Sequence, residues 1–577
     1  MSSHDPIPAA LVPLADATVY THGFLPIAAA YCNALSLIDI VNSLVPSQML
    51  LKPGMVVQAM VLDVLSGRSP LYHLETFLSG QDVGLLLGQE LDAHAFTDTN
   101  IARSLDAMFE AGPAKVLTRL GRQAASVFGL DCSVVSYDTT STSVWGEYRQ
   151  CEQPVPPPGP VVTHGHSKDH QPQLKQFMTE LLCVDRGVPI YGATLDGNSS
   201  DKRSNNAMLS RISTIMAAQG LGTGAFVYVA DSAMVTRENL EALVNTKFIS
   251  RLPATYEACR RAIEHAVDAG VWQDTGSLTE LPAIASRPSA EYRSHETTVE
   301  LYGVSYRALV IHSSSHDKRR QKQLEKRIAA SCEAIAQQVK PFVSEYHCEA
   351  DAQSAAAHIM ECSTALHQVA ATITAVEIRQ RGRPPKDKPA PTQTRYHLSW
   401  TLTENTAAIQ RERELAGCFV LITSVPITGE SSMDSTGILR TYKGQYSIEN
   451  DFAFLKDPLI VNDLFLKTTS RIDALGMILI IALMVWRLME RSMRLHLQQT
   501  GGKIPGWDNK PTCRPTAYMM TTVFQGIQVI LLNGSRHFLK TPTDRHLAFL
   551  KALGLNPGVF LCSRSHLEIP DLNRLGG

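Results

Sequence analysis

The sequence predicts an α/β protein with a strand-rich core, helical at both ends and split by an inserted domain. Three observations carry that reading. Helical apolar spacing, broken by Gly and Pro, runs from about residue 20 to residue 130. Short apolar strands bounded by turn residues follow it. A stretch of different pattern, 254–436, then separates those strands from a last helical run. At 577 residues the chain exceeds what one hydrophobic core usually serves, and length alone suggests about four domains.

The expected division begins with a tail (1–20) and a helical segment (21–128). In the latter, MVVQAMVLDVLSG stops at a C-capping Gly67 and NIARSLDAMFEAG stops at Gly112. Such a segment serves either as a helix-turn-helix DNA reader or as a plain packing domain. The first part of the core (129–253) holds DCSVVSYD, QFMTELLCVD, VPIYGATL, AFVYVAD and KFISRL, each a buried strand by pattern. SNNAMLSRISTIMAAQG and TRENLEALVN supply helices between the later ones. Three strands, then helix, strand, helix, strand is the order of the ribonuclease-H-like fold.

The insertion (254–436) contains two strand-like runs, VELYGVSYRALVI and YHLSWTL. Between them Leu324, Ile328, Cys332 and Ile335 mark one helix, and Ala355, Ile359, Cys362, Leu366, Val369, Ile373 and Val376 mark a second. Their alternating steps of four and three predict an antiparallel helical hairpin. The core resumes at 437–499, helical from Tyr442 to about Leu497, and a helical C-terminal region (500–577) follows the loop TGGKIPGWDNKP.

Composition bounds the function. Apolar residues at 44% and charged residues at 19% describe an ordinary globular chain. A net charge of −2 excludes a uniformly basic coat for nucleic acid, so any DNA contact must come from local clusters. Such clusters occur at Lys318, Arg319, Arg320, Lys322, Lys326 and Arg327, and in IRQRGRPPKDK. There Arg381 and Arg383 belong to an RGRP that reads as a minor-groove hook or as a Pro-stiffened linker. The 11 cysteines form no C-x-x-C pair, which excludes a zinc ribbon and fits a reducing cytoplasm. The apolar run Ala474 to Trp486 has 13 residues, against ~20 for a bilayer span, so a buried helix and no membrane partner are expected.

Three acids stand out. Asp138 and Asp231 each close an apolar strand, and Glu449 opens the helix SIENDFAFLK. Hard oxygen ligands converging from separate elements suit two Mg²⁺ or Mn²⁺ ions, which together serve phosphoryl transfer. Any one of these acids, taken alone, also reads as a turn or cap residue. In YKGQYSIENDFAFLK, Tyr442, Gln445, Glu449 and Lys456 fall within about 60° of one another if one helix carries them all. The trio His164, His166 and His170 reads as a metal site or as a loop that contacts DNA through Lys168.

At these residues the chain resembles the bacterial insertion-sequence transposases with a Y-x2-R-x3-E-x6-K signature, in their long-chain branch. Tyr442, Glu449 and Lys456 match, while Gln445 stands where the family has Arg. YDTTS around Asp138 and VADSAMVTRENL around Asp231 are similar to the family's aspartate segments, as are HGHSKDHQPQLKQF and DGNSSDKRSN to its intervening ones. The resemblance implies a DDE transposase with Asp138, Asp231 and Glu449 as catalytic metal ligands. It further implies double-stranded DNA as partner, both terminal inverted repeats and target, a homodimer on paired ends, and a bacterial cytoplasm or nucleoid. Tyr442, Gln445, Lys456, Lys168, Arg381 and Arg383 would touch DNA. The competing readings are a ribonuclease-H-like nuclease without strand transfer and an inactive DNA-binding derivative.

Overall fold

The computed structural model describes residues 17–67, 73–149, 158–222, 224–278, 289–315, 318–379, 392–429, 431–457, 468–563 and 567–568. They divide into two compact units. One comprises Met1–Ser250, Ser424–Ser432 and Ile438–Gly577, the other Arg251–Thr423 and Met433–Gly437.

The first unit opens with β1 (Thr18–Thr21) and the helices α1 (Leu25–Ala34), α2 (Leu37–Leu44), α3 (Pro53–Leu65), α4 (Leu74–Ser79), α5 (Val83–Leu87), α6 (Asp98–Ala111) and α7 (Pro113–Phe128). Pro at the first positions starts α1, α3 and α7, where its missing N–H costs nothing. The Thr97 hydroxyl caps α6 by accepting from the Asn100 amide. Nearly every residue of α3 is buried, as expected of a helix apolar on all sides.

Strands follow: β2 (Val134–Val144), β3 (Lys175–Val184), β4 (Val188–Leu195), then α8 (Asp201–Ala218), β5 (Val227–Ala230), α9 (Arg237–Ala242) and β6 (Lys247–Arg251). In the sheet they lie in the order β4-β3-β2-β5-β6. The pairs β2–β3 and β3–β4 are antiparallel, and β5 and β6 run parallel to β2. Strand β2 does not stop at Asp138, where its apolar run ends. TTSTSV continues it to Val144, because β-branched Thr suits a strand and β3 supplies partners as far as Lys175.

The second unit contains α10 (Glu257–Ala269), β7 (Gln273–Ser277), β8 (Glu291–Leu301), β9 (Val304–Ser313), α11 (Lys318–Val339), β10 (Glu345–Tyr346), α12 (Glu349–Glu361), β11 (His367–Arg379), β12 (Thr392–Glu404), α13 (Thr406–Ala416) and β13 (Cys418–Thr423). VELYGVSYRALVI is a hairpin and not one strand. Tyr302 and Gly303 both take positive φ, the geometry of a two-residue turn. The expected helical hairpin is also corrected: α11 and α12 exist, but Val369, Ile373 and Val376 of the apolar series lie on a strand, with Leu366 just before it. The chain turns after Cys362, and Val369, Ala371 and Ile373 then pair with Leu402, Trp400 and Leu398 of β12. Alternation in a Thr-, Val- and Ile-rich stretch overrides a spacing of four and three. Both helices pack on the base of this β-ribbon, around Ile335, Val339, Ile359, Val369 and Leu398. Arg381 and Arg383 lie beyond the last paired residues, Arg379 and Thr392, outside the described residues.

The chain re-enters the first unit within α14 (Ser435–Gly444) and continues as α15 (Tyr446–Leu455) and the long helix Thr469–Thr500. Among the described residues this last is the one helix long and apolar enough to cross a membrane, and 83% of its most apolar window is buried inside the fold. It packs on β4, α3, α6 and α7. Glycines let it come close: a Cβ on Gly192 of β4 would stand 2.7 Å from Ile480 Cδ1, and one on Gly476 would collide with Thr194. The C-terminal region is not purely helical. Strands Gln528–Leu532 and Ser535–Phe538 turn at Asn533–Gly534, a strong hairpin signal, and β1 pairs with the first of them.

Arg491, on the long helix, is 5% exposed. It donates to Asp185 Oδ2 at 2.6 and 2.8 Å and to the carbonyls of Phe128 and Gly129 at 3.0 and 3.1 Å. Arg491→Ala takes the counter-charge from the Asp185 carboxylate, which keeps the Asp131 amide at 3.0 Å, and removes a donor from two carbonyls that close α7. A loss of about 3–5 kcal/mol in urea unfolding is expected, and a change under 1 kcal/mol would show that water replaces the guanidinium.

Candidate functional site

Asp138 lies within β2, opposite Leu181 of β3. Asp231 follows the last residue of β5, the parallel neighbour of β2, and its Oδ1 accepts from the Ala233 amide at 3.1 Å. The Ser250 hydroxyl on β6 donates to the Asp231 carbonyl at 2.8 Å, which fixes the backbone there. Two adjacent parallel strands thus bring both aspartates to one place on the sheet.

A third acid joins them. Asp201 is the first residue of α8, after the capping Ser200. Its Oδ1 accepts from the Thr139 hydroxyl at 2.5 Å and faces the Lys168 ammonium at 3.0 Å. Lys168 also donates to the Thr139 carbonyl at 2.7 Å and to its hydroxyl at 3.1 Å. One ammonium therefore sits among three carboxylates. Burial pushes Asp138 up to about 7; Lys168 opposes that rise and Asp231 adds to it. Asp231 is raised as well, by burial first and then by Asp201. The sequence contains the signals for Asp201, a Ser-Asp helix start within DGNSSDKRSN, but helix starts of this kind occur wherever a helix begins.

Beneath these groups lies a buried polar network. Tyr137 and Tyr191 donate to the two oxygens of Glu180, at 2.9 and 3.3 Å, and Arg211 pairs with Glu180 at 2.9 Å. It joins β2, β3, β4 and α8 by charge-assisted bonds and makes the floor of the site rigid.

Glu449 occupies the first turn of α15 and is exposed. The expected single stripe is corrected here. The helix is interrupted at Gln445, so Tyr442 belongs to α14 while Glu449 belongs to α15. Gly444, the least helix-favouring residue of the run apart from any Pro, stands at the break. Gln445 reaches β2 and donates to the Tyr137 carbonyl at 3.4 Å, one residue from Asp138. Ile448, Phe452 and Leu455 bury the inner face of α15. Asp451, fully buried, pairs with Arg487 of the long helix and accepts from the Cys183 thiol at 3.5 Å. Lys456 ends α15 and pairs with Asp169 at 2.6 Å, each side chain about a quarter exposed. The structure therefore brings Asp138, Asp231 and Lys168 together and ties the start of α15 to the strand bearing Asp138. Among the described residues, no three His, Cys, Asp or Glu side chains stand at metal-holding distance, the trio His164, His166 and His170 included.

Residues 18–121, from β1 into α7, match a family model described as a domain of unknown function, DUF4277. No curated protein matches the chain.

The raised Asp138 has a measurable signature. Its folded carboxyl holds a proton more tightly than the unfolded one, so its contribution to stability is present below about pH 4 and is lost as pH rises through about 7. Asp138→Asn removes that dependence. In chelator, the variant should gain on the wild type between pH 4 and 7 at up to about 1.4 kcal/mol per pH unit. Parallel stability profiles for the two proteins would contradict the burial of this carboxyl.

Proposed function

We propose that the chain is a DNA transposase of the DDE class, which cuts the ends of a mobile element and joins them to target DNA. The observation that carries this is the placement of Asp138 and Asp231 on adjacent parallel strands around Lys168, with the Glu449 helix tied to the same strand through Gln445. The strand order β4-β3-β2-β5-β6, antiparallel in its first three members and parallel in its last two, supports a ribonuclease-H-like core.

Two divalent ions, Mg²⁺ or Mn²⁺, fit the donor set in part. Half-buried carboxylates in mutual repulsion, balanced by one ammonium, are hard anionic ligands that gain from added positive charge. Asp138 and Asp231 would hold the ions, with Glu449 as the third ligand on this reading. Bound ions would activate the attacking oxygen and stabilise the departing one. The remaining work falls to the chain itself. Lys168, fixed by Thr139 and Asp201, presents a cation beside the acids for a phosphate. Lys456 does the same at the far end of α15, once it exchanges Asp169 for DNA. Gln445 supplies a neutral bond to β2 where an arginine would carry charge, so it positions the helix more than it grips phosphate.

The test is cleavage and strand joining with Mg²⁺, on linear DNA carrying the sequences that flank the coding region. Asp138→Ala, Asp231→Ala and Glu449→Ala should each lower cleavage by about 100-fold or more while DNA binding persists, because acids hold metal and basic groups hold phosphate. Near wild-type cleavage by Glu449→Ala would mean that a different acid completes the site. Cutting without joining would favour a nuclease.

Lys456 gives a second test. Lys456→Ala should flatten the salt dependence of DNA binding by about one unit of slope, and Asp169→Asn, which releases Lys456, should tighten binding. An unchanged slope in both variants would mean that this end of α15 does not face DNA.

A further inference from the structure

Lys168 is fastened more closely to the acids than a phosphate-gripping lysine requires. Its ammonium faces Asp201 Oδ1 at 3.0 Å and donates to the Thr139 carbonyl at 2.7 Å and hydroxyl at 3.1 Å. The Thr139 hydroxyl donates in turn to Asp201 at 2.5 Å, so the three groups close a ring of polar contacts. The backbone is pinned as well, because the Lys168 amide donates to the Ser141 hydroxyl at 3.0 Å. Thr139 and Ser141 both belong to β2, the strand that carries Asp138. The lysine therefore lies along the strand of the acid it serves, with 28% of its side chain still open to solvent.

The charge of this ammonium acts on the acids. Burial raises Asp138 and Asp231, and Lys168 works against that rise at both. A divalent ion is drawn to these carboxylates for the same reason as the ammonium, and two cations a few Å apart oppose each other. One ammonium among Asp138, Asp201 and Asp231 leaves negative charge in excess, so the site still attracts such an ion, but less than it would without the lysine. Lysine suits a seat that must be given up, since a point charge on a flexible four-carbon stem can leave without moving the backbone. We infer that Lys168 is a resident counter-ion of the acid cluster, which holds the affinity for divalent ions down until a DNA phosphate draws its charge away. This role rests on the transposase reading for both its metal and its DNA. It makes the two ligands reciprocal: the factor by which DNA tightens metal binding is the factor by which metal tightens DNA binding. The next residue repeats the arrangement, since Asp169 occupies Lys456 at 2.6 Å. In the DNA-free chain both lysines are thus paired with carboxylates, which phosphate must replace.

The experiment titrates the full chain with Mn²⁺ at about pH 8 and reads the free ion by electron paramagnetic resonance. Lys168→Met, which keeps the side chain long and removes its charge, should bind Mn²⁺ about tenfold or more tightly than the wild type. Lys168→Arg, which keeps the charge, should stay near the wild type, whereas a packing role would treat both variants alike. Lys168→Gln removes the same charge with a side chain that can still bond Thr139, and covers the case in which Met disturbs the fold. A second arm follows a fluorescent duplex of the flanking sequence by anisotropy, with and without Mn²⁺. The ion should tighten duplex binding in the wild type by a factor that falls several-fold in Lys168→Met. Equal Mn²⁺ affinity in the wild type and the uncharged variants overturns the inference and leaves the metal site standing. The same tightening factor in wild type and Lys168→Met overturns the link to DNA. No Mn²⁺ binding by any of the proteins, with or without duplex, removes the metal site and the inference with it.

Discussion

The helix Thr469–Thr500 is the constraint on which the first unit depends. Its apolar residues fill the space between β4 and the helices α3, α6 and α7, so those surfaces share one core. It also carries two arginines one turn apart, Arg491 buried and Arg487 nearly so. Arg491 binds the turn between β3 and β4 through Asp185, and Arg487 binds α15 through Asp451. Neither ion can be desolvated alone, since a buried charge without its partner costs several kcal/mol. The helix therefore fixes the sheet and the Glu449 helix to the same rod, and a shift of one is a shift of both.

The acids at the candidate site are held in opposite ways. Asp138 and Asp231 are set into the sheet, where burial and mutual repulsion oppose their charge and one ammonium offsets it. Glu449 stands exposed on a helix whose inner face is clamped by Ile448, Phe452, Leu455 and the Asp451–Arg487 pair. Strain of an electrostatic kind is thus stored at the aspartates and not at the glutamate. A site that keeps like charges close without a full complement of counter-charge is less stable than it need be, and groups arranged in this way are common where chemistry needs them.

Much of the first unit was legible because its strands are short, apolar and bounded by turn residues, from VSYD through KFISR, and its helices carry Pro starts and Gly stops. What escaped reading was set by pairing over distance. TTSTSV extends β2 because β3 lies beside it, and HQVAATITAVEIR is a strand because β12 accepts it, although its apolar spacing also fits a helix. Asn533–Gly534 carries a local hairpin signal, but β1 lies about 500 residues away and no local pattern announces that the two ends pair. At the site, the aspartates were visible as acids beside apolar strands. Asp201, Thr139 and Asp169 were not, because each acts only through a neighbour that folding supplies. The interruption at Gln445 shows the reverse error, in which a spacing that suits one helix is divided between two.

The pairing of early and late segments has a consequence for synthesis. Helix α3 is apolar on nearly every side, and the rod that covers it begins about 400 residues later. At ~5–20 residues per second, a ribosome needs roughly 20–80 s to deliver that partner. Through that interval the emerging N-terminal helices can satisfy one another only in part, and β1 waits longer still for strand Gln528–Leu532. The apolar faces of α3 thus wait for their cover until the Thr469–Thr500 segment has been made, a delay during which unpaired apolar surface is open to aggregation or to chaperones.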